Sequence, residues 1–134
     1  MTLTGLERDE IIKHRIEQSQ RTIEEAELLI ENRRLSAAVS RIYYSVFYII
    51  SALGVRNNYS SSKHKQLIGW FNKNYVYTEK VKKGYGRLVH DLFNKRMEAD
   101  YEIFIEFLKT DVIEYLNQAK NFIDDIKKII WEGK

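Results

Sequence analysis

Residues 35–55 read Leu-Ser-Ala-Ala-Val-Ser-Arg-Ile-Tyr-Tyr-Ser-Val-Phe-Tyr-Ile-Ile-Ser-Ala-Leu-Gly-Val, and Arg41 is the one charged side chain among them. Val39, Ile42, Tyr43, Val46, Phe47, Ile49 and Ile50 recur at helical spacing and make one apolar face. The opposite face carries Ala37, Tyr44, Tyr48, Ser51 and Ala52, so it is not charged either. A helix without a polar face is covered on both sides. The stretch predicts a central helix over residues 35–53, ended by Gly54. Its second face is expected to meet a partner subunit or a ligand.

The flanking sequence supplies helices to cover it. Thr4 followed by Glu7 forms a capping-box signature. Behind it Ile12, Ile16, Ser19, Ile23, Ala26 and Ile30 alternate spacings of four and three, which predicts a bundle helix to about residue 31. Residues 32–34 are the turn. Residues 54–62 read as a loop whose serines, Ser60 to Ser62, cap a short helix at 63–73, with Leu67, Ile68, Trp70 and Phe71 inward. A tyrosine-rich linker at 75–78 leads to a helix over 79–99, weakened at Gly84 and Gly86 by about 1 kcal/mol each relative to alanine. Residues 101–108 lack a helical stripe and predict an irregular or partly helical connection. A last helix is expected from about residue 111, with Glu114 at the capping position and a stripe of Val112, Leu116, Ala119, Ile123, Ile126 and Ile130 running to Trp131. The fold expected is all-α: an up-and-down helical bundle of about five helices, one domain over 1–134.

Composition agrees. The chain has 134 residues, no cysteine and no proline. A disulfide framework and a thiolate metal site are thereby excluded, and the absence of cysteine fits a reducing, cytoplasmic setting. No apolar run approaches the roughly 18 residues that would span a bilayer, and the N-terminus lacks a signal-peptide layout, so no membrane association is expected. The net charge of +3 hides an asymmetry. Residues 63–96 carry nine Lys/Arg against Glu79 and Asp91, whereas residues 97–134 carry five basic and nine acidic side chains. The basic segment contains Trp70, Phe71, Tyr75, Tyr77 and Tyr85. Two readings stand: a track for a phosphate backbone with stacked bases, or a solvated basic face over ordinary core aromatics.

Arg96 stands out. On a wheel of about 100° per residue with Leu88 at zero, Arg96 falls at about 80°, between Tyr85 at about 60° and Val89 at about 100°. A guanidinium cannot shed its charge, so burying it requires a partner or a ligand. Asp100, four residues on, shares its side and can pair with it. Tyr101 lies about 140° round and converges on Arg96 only if the helix ends near Ala99, or if the two come from different subunits. The Arg96–Asp100 pair therefore reads either as a structural ion pair or as part of a binding site. Arg41 divides the same way, into a buried anchor for a carboxylate or a phosphate-binding cation beside Tyr43 and Tyr44; Tyr43 itself points with the apolar face and reads as core. Lys63 and His64 open the third helix, where free amides favour anions. His14, His64 and His90 show no metal spacing, Gly84-Tyr85-Gly86 lacks the rest of a phosphate loop, and no serine sits in a nucleophile elbow.

These residues resemble a known family. Arg41-Ile-Tyr-Tyr-Ser-Val-Phe resembles the Arg-x-Tyr-Tyr-Ala-x-Phe signature of one branch of the HEPN domain, Lys63-His64 resembles its Lys-His, and Arg96-Met-Glu-Ala-Asp-Tyr101 resembles its Arg-x-x-Ala-Asp-Tyr. The three occur in the right order over about residues 36–101. The resemblance implies a helical bundle that forms a homodimer with a cleft at the interface. It implies a toxin-like protein that binds RNA or nucleotide, in many members a metal-independent ribonuclease, paired with a minimal nucleotidyltransferase antitoxin. The family's catalytic signature is an arginine followed four to six residues later by a histidine. Here positions 101, 102 and 103 are Tyr101, Glu102 and Ile103. In some pairs the partner adenylylates a tyrosine near this motif, and Tyr101 is the residue placed to accept such a group.

The missing histidine has a chemical consequence. A metal-free ribonuclease needs a base for the 2′-hydroxyl and an acid for the leaving oxygen. Arginine can stabilise the charge building on the phosphorane but cannot shuttle protons. Ionising a tyrosine at neutral pH costs about 4 kcal/mol, part of which Arg96 can recover by favouring the phenolate. His64 can supply the base only if the fold brings the third helix to Arg96. The catalytic candidates are Arg96, Tyr101 and His64, and the nucleotide- or RNA-binding candidates are Arg41, Tyr44, Lys63 and Asp100. The alternative is a non-catalytic helical module that binds nucleotide or the nucleotidyltransferase. No cofactor and no metal are expected.

Overall fold

The computed structural model describes residues 3–133. Five α-helices follow one another: α1 (Gly5–Glu31), α2 (Leu35–Arg56), α3 (His64–Phe71), α4 (Gly84–Tyr101) and α5 (Lys109–Glu132). No strand occurs among the described residues. α2 is the central helix and packs against α1, α3, α4 and α5. By length and composition α2 could cross a bilayer, but about two-thirds of its most apolar stretch is buried against the rest of the chain. Its apolarity is used in the core.

α1 begins as its sequence predicts. The Glu7 N–H donates to Thr4 Oγ1 at 3.0 Å, and the Thr4 N–H donates to the Glu7 carboxylate at 2.9 Å. Two amides that the helix cannot satisfy internally are thereby occupied. Ile12, Ser19, Ile23, Ala26 and Ile30 are buried along the expected stripe. Buried Ser19 donates to the Ser45 carbonyl oxygen at 2.7 Å and ties α1 to α2. The α5 stripe is buried as expected and is widened by Phe122, which meets Phe71 and Tyr85 edge-on. Tyr85 in turn donates to the Asp125 carboxylate, joining the start of α4 to α5.

The boundaries depart from expectation where tertiary contacts decide them. Gly54 does not stop α2, which runs on to Arg56. The glycine is there for close approach: a Cβ at this position would lie 2.8 Å from the Tyr59 carbonyl oxygen. The Tyr59 N–H donates to the Gly54 carbonyl at 2.8 Å, folding the following loop back onto the helix. α3 starts at His64, and its N-cap residue Lys63 has no side-chain cap. Ser61 Oγ accepts from the Lys63 N–H at 3.1 Å but does not reach into the helix. Leu67 and Phe71 are buried, whereas Ile68 and Trp70 are half-buried, Trp70 lying flat on Tyr59 at 5.0 Å.

α3 gives way to a π-helical turn at Asn72–Val76. This turn takes in the end of the expected third helix and the first two residues of the expected linker, and buries Tyr75, whose hydroxyl accepts from Asn57 Nδ2 at 3.0 Å. α4 starts at Gly84, five residues later than the pattern suggested. Glu79 takes a left-handed φ of 60°, which breaks any continuation. A Cβ at Gly86 would lie 2.9 Å from Val76, so this glycine seats α4 against the π-helical turn. Residues 102–108 are non-helical, as expected. α5 starts at Lys109 rather than near 111, and Glu114 accepts from Gln118 instead of capping.

Two glycine variants separate close approach from flexibility. Gly54→Ala is expected to lower the unfolding free energy by about 1–2 kcal/mol, because backbone must move to admit the methyl group. Gly69→Ala, on an open face of α3 with nothing within 4 Å of its Cβ position, is expected to raise it by about 0.5–1 kcal/mol. Urea titration of both variants checks the pair.

Candidate functional site

Arg96 is buried at 8% exposure on the core face of α4. Its guanidinium carbon lies 5.1 Å from the Tyr43 ring centre, 5.4 Å from Phe93 and 5.7 Å from Tyr44. Aromatic faces attract a cation by about 2 kcal/mol when water is excluded, but they offer its N–H groups no acceptor. Arg96 Nε is buried without a hydrogen-bond partner. One terminal nitrogen donates to Asp100 at 3.5 Å, the long limit of a hydrogen bond, and the Asp100 side chain is itself 30% exposed. The charge is thus neither released into water nor satisfied by carboxylates.

The fold brings α3 to this arginine by way of α2. His64, the first residue of α3, stacks on Phe47 at 4.1 Å and meets Tyr44 edge-on at 5.7 Å. Its Nδ1 lies 2.7 Å from the Tyr43 hydroxyl. Tyr43 therefore touches both Arg96 through its ring and His64 through its oxygen. Burial, and then the positive charge of Arg96, hold the His64 imidazole below its ordinary pKa, so the ring is neutral at pH 7. Burial pushes the Tyr43 phenol up, against the pull of Arg96. This phenol stays protonated and is not the source of a phenolate. Tyr43, read from the sequence as core, is fully buried as expected but also links the Arg96 cation to the His64 imidazole. One sequence signal could have found it: a tyrosine on a buried face needs a partner for its hydroxyl.

The remaining candidates scatter. Tyr44 and Asp100 belong to the cluster through the contacts above. Lys63 is exposed at the N-cap of α3, next to His64. Arg41 is not a buried anchor. It is exposed on α2 and approaches Glu25 of α1 at 3.9 Å. Tyr101 does not meet Arg96, because α4 continues unbroken past Ala99 and carries it round the helix. Its ring is 70% exposed and its hydroxyl has no partner among the described residues. Of the six aromatics in the basic segment, Phe71, Tyr75 and Tyr85 are buried and Trp70 and Phe93 are half-buried, which leaves Tyr77 alone open to solvent. That segment is mainly a solvated basic face over core aromatics. Among the described residues, no three His, Cys, Asp or Glu side chains gather to hold a metal ion.

The half-buried, neutral His64 makes stability depend on pH. Its folded pKa lies below the ordinary value of about 6.5. Below that pH the unfolded chain takes up a proton that the native chain refuses, so stability is full above about pH 6.5 and is lost as pH falls toward the folded pKa. Urea unfolding is expected to show this decline, and His64→Gln is expected to flatten it.

Comparison with known proteins agrees with the fold. The HEPN domain profile matches residues 12–129. A UPF0332 protein of Thermotoga maritima is 36% identical over 96% of this chain and 97% of its own length. Two proteins of Methanocaldococcus jannaschii, both bearing the name "Putative toxin", are each 30% identical; the matches cover 86% and 92% of this chain, and 78% and 91% of theirs. The profile runs from within α1 to within α5, and the chain belongs to the HEPN domain family.

Proposed function

We propose that this chain is a toxin-like HEPN protein that binds RNA through Arg96, acts in the cytoplasm as a homodimer, and is paired with a minimal nucleotidyltransferase as antitoxin. The observation that carries the reading is the guanidinium held among Tyr43, Tyr44 and Phe93 with an unpartnered buried Nε and one loose carboxylate. A phosphate supplies what such a group lacks: a negative charge and several strong acceptors. The two relatives that bear the name "Putative toxin" support the toxin-like role. The excess of lysine and arginine over residues 63–96 favours encounter with a polyanion.

Metal-independent cleavage of the bound RNA is the activity to test. Arg96 is suited to stabilise charge on a phosphorane, and His64 is the neutral imidazole held beside it. Tyr101, whose side chain is exposed, is the acceptor proposed for modification by the partner, and its accessibility supports that reading. A second reading, a non-catalytic module that binds nucleotide or that partner, is favoured by one observation: no histidine occupies positions 101–103.

The test measures RNA binding by fluorescence anisotropy and RNA cleavage in the presence of EDTA, for wild type and Arg96→Ala. Hydrogen bonds to a charged group contribute about 1.5–3 kcal/mol, so the variant is expected to bind RNA about tenfold to a hundredfold more weakly. Equal binding by both proteins removes Arg96 from the site. Binding without cleavage selects the second reading. Light scattering is expected to give a dimer, and a monomer would remove the two-chain cleft.

A further inference from the structure

The environment of the Tyr43 hydroxyl dictates what His64 can do. Tyr43 is 1% exposed, and the one hydrogen-bond partner of its hydroxyl among the described residues is His64 Nδ1, at 2.7 Å. The other polar group against it is Arg96, which has only donors. The phenol proton therefore has a single acceptor, Nδ1. A neutral imidazole that accepts at Nδ1 carries its own proton on Nε2. The opposite tautomer would aim Nδ1–H at the phenol oxygen and leave the phenol proton unpaired among Phe47, Phe93 and Tyr44, which disfavours it about tenfold or more.

This inverts the usual arrangement behind a catalytic base. A histidine base has an acceptor behind it, commonly a carboxylate, which takes the Nδ1 proton and leaves Nε2 with a free lone pair. Here the group behind the ring is a donor. The charged and titratable groups around His64 are Tyr43 and Tyr44 from α2, Arg96 and its partner Asp100 from α4, and the adjacent Lys63. None of them hydrogen-bonds to the ring as a carboxylate, and Nε2 has no partner among the described residues.

We propose that Tyr43 is a positioning residue that fixes His64 as the Nε2–H tautomer, so that His64 meets an RNA phosphate as a neutral hydrogen-bond donor beside the Arg96 cation and not as the base for the 2′-hydroxyl. The phosphate half of this inference rests on the RNA reading above; the tautomer does not. A neutral imidazole can act as a donor to developing negative charge in this way. The pairing also explains why a pKa pushed down by burial suits the site: the ring binds an anion without a second buried charge beside Arg96.

The test uses the full chain labelled with ¹⁵N-histidine and records long-range ¹H–¹⁵N correlations near neutral pH. The expected pattern for His64 is an unprotonated Nδ1 and a protonated Nε2. Tyr43→Phe is expected to shift His64 toward a mixture of tautomers. A protonated Nδ1 in the wild type overturns the role of Tyr43, whatever the RNA experiments show, and needs no variant to fold. For the phosphate half, the probe is a 2′-O-methyl oligoribonucleotide, which cannot be cut through its 2′-oxygen. Tyr43→Phe and His64→Leu are expected to bind it about three- to tenfold more weakly. Failure of the wild type to bind overturns the phosphate half together with the RNA reading, and leaves the tautomer result standing on its own. Binding by both variants equal to wild type overturns the phosphate half alone. So does cleavage of unmodified RNA at a rate that rises with pH as His64 loses its proton, since that is the signature of a base.

Discussion

A permanent positive charge buried against three aromatic rings is the constraint on which the site depends. Arg96 cannot escape the cost of burial by losing its proton, as a lysine or histidine could. Its neighbours offset part of that cost through their ring faces, and Asp100 offsets a little more from 3.5 Å. What remains is an electrostatic deficit within one small region of the fold, next to an imidazole that burial, and then the same charge, keeps neutral. Each group in the cluster is explained by reference to the guanidinium: Tyr43 and Tyr44 cover it, Phe93 backs it, and His64 gives up its own charge near it.

The backbone delivers these groups from three helices through a few close contacts. The loop after α2 folds back because Gly54 admits the Tyr59 carbonyl. That return places α3 along the end of α2, with Leu67 buried and His64 over Phe47. The π-helical turn then widens the chain path after Phe71 and buries Tyr75, and Gly86 lets α4 sit down on Val76. Extra-wide turns of this kind often accompany functional regions; here the turn sets where α4, and hence Arg96, begins its course across α2.

Much of the bundle was legible from local patterns. The Thr4–Glu7 box, the stripes of α1 and α5, the two-sided apolarity of α2 and the irregular 102–108 segment are written in side-chain type and spacing, and these are the features that local physics controls. Element boundaries were less legible. Gly54 reads as a helix stop because glycine favours that place, yet here it serves a contact with a residue five positions on. The starts of α4 and α5 shifted too, and neither helix is held by a side-chain N-cap. At the site, the misplaced charge of Arg96 and its pairing with Asp100 followed from the helical wheel. The parting of Arg96 from Tyr101 turned on two further residues of helix, and the exposure of Arg41 on which neighbour lay across from it.

The sequence by itself determined the helical class, the centrality of α2, the family signatures and the burial of a cation at position 96, because each follows from periodicity and from the chemistry of single residues. Only the tertiary structure decided that His64 joins that cation, that Tyr43 stands between them, and which ring nitrogen faces the phenol. Those facts depend on distances between side chains 21 or more residues apart in the chain, and no local pattern carries the angle at which one helix crosses another.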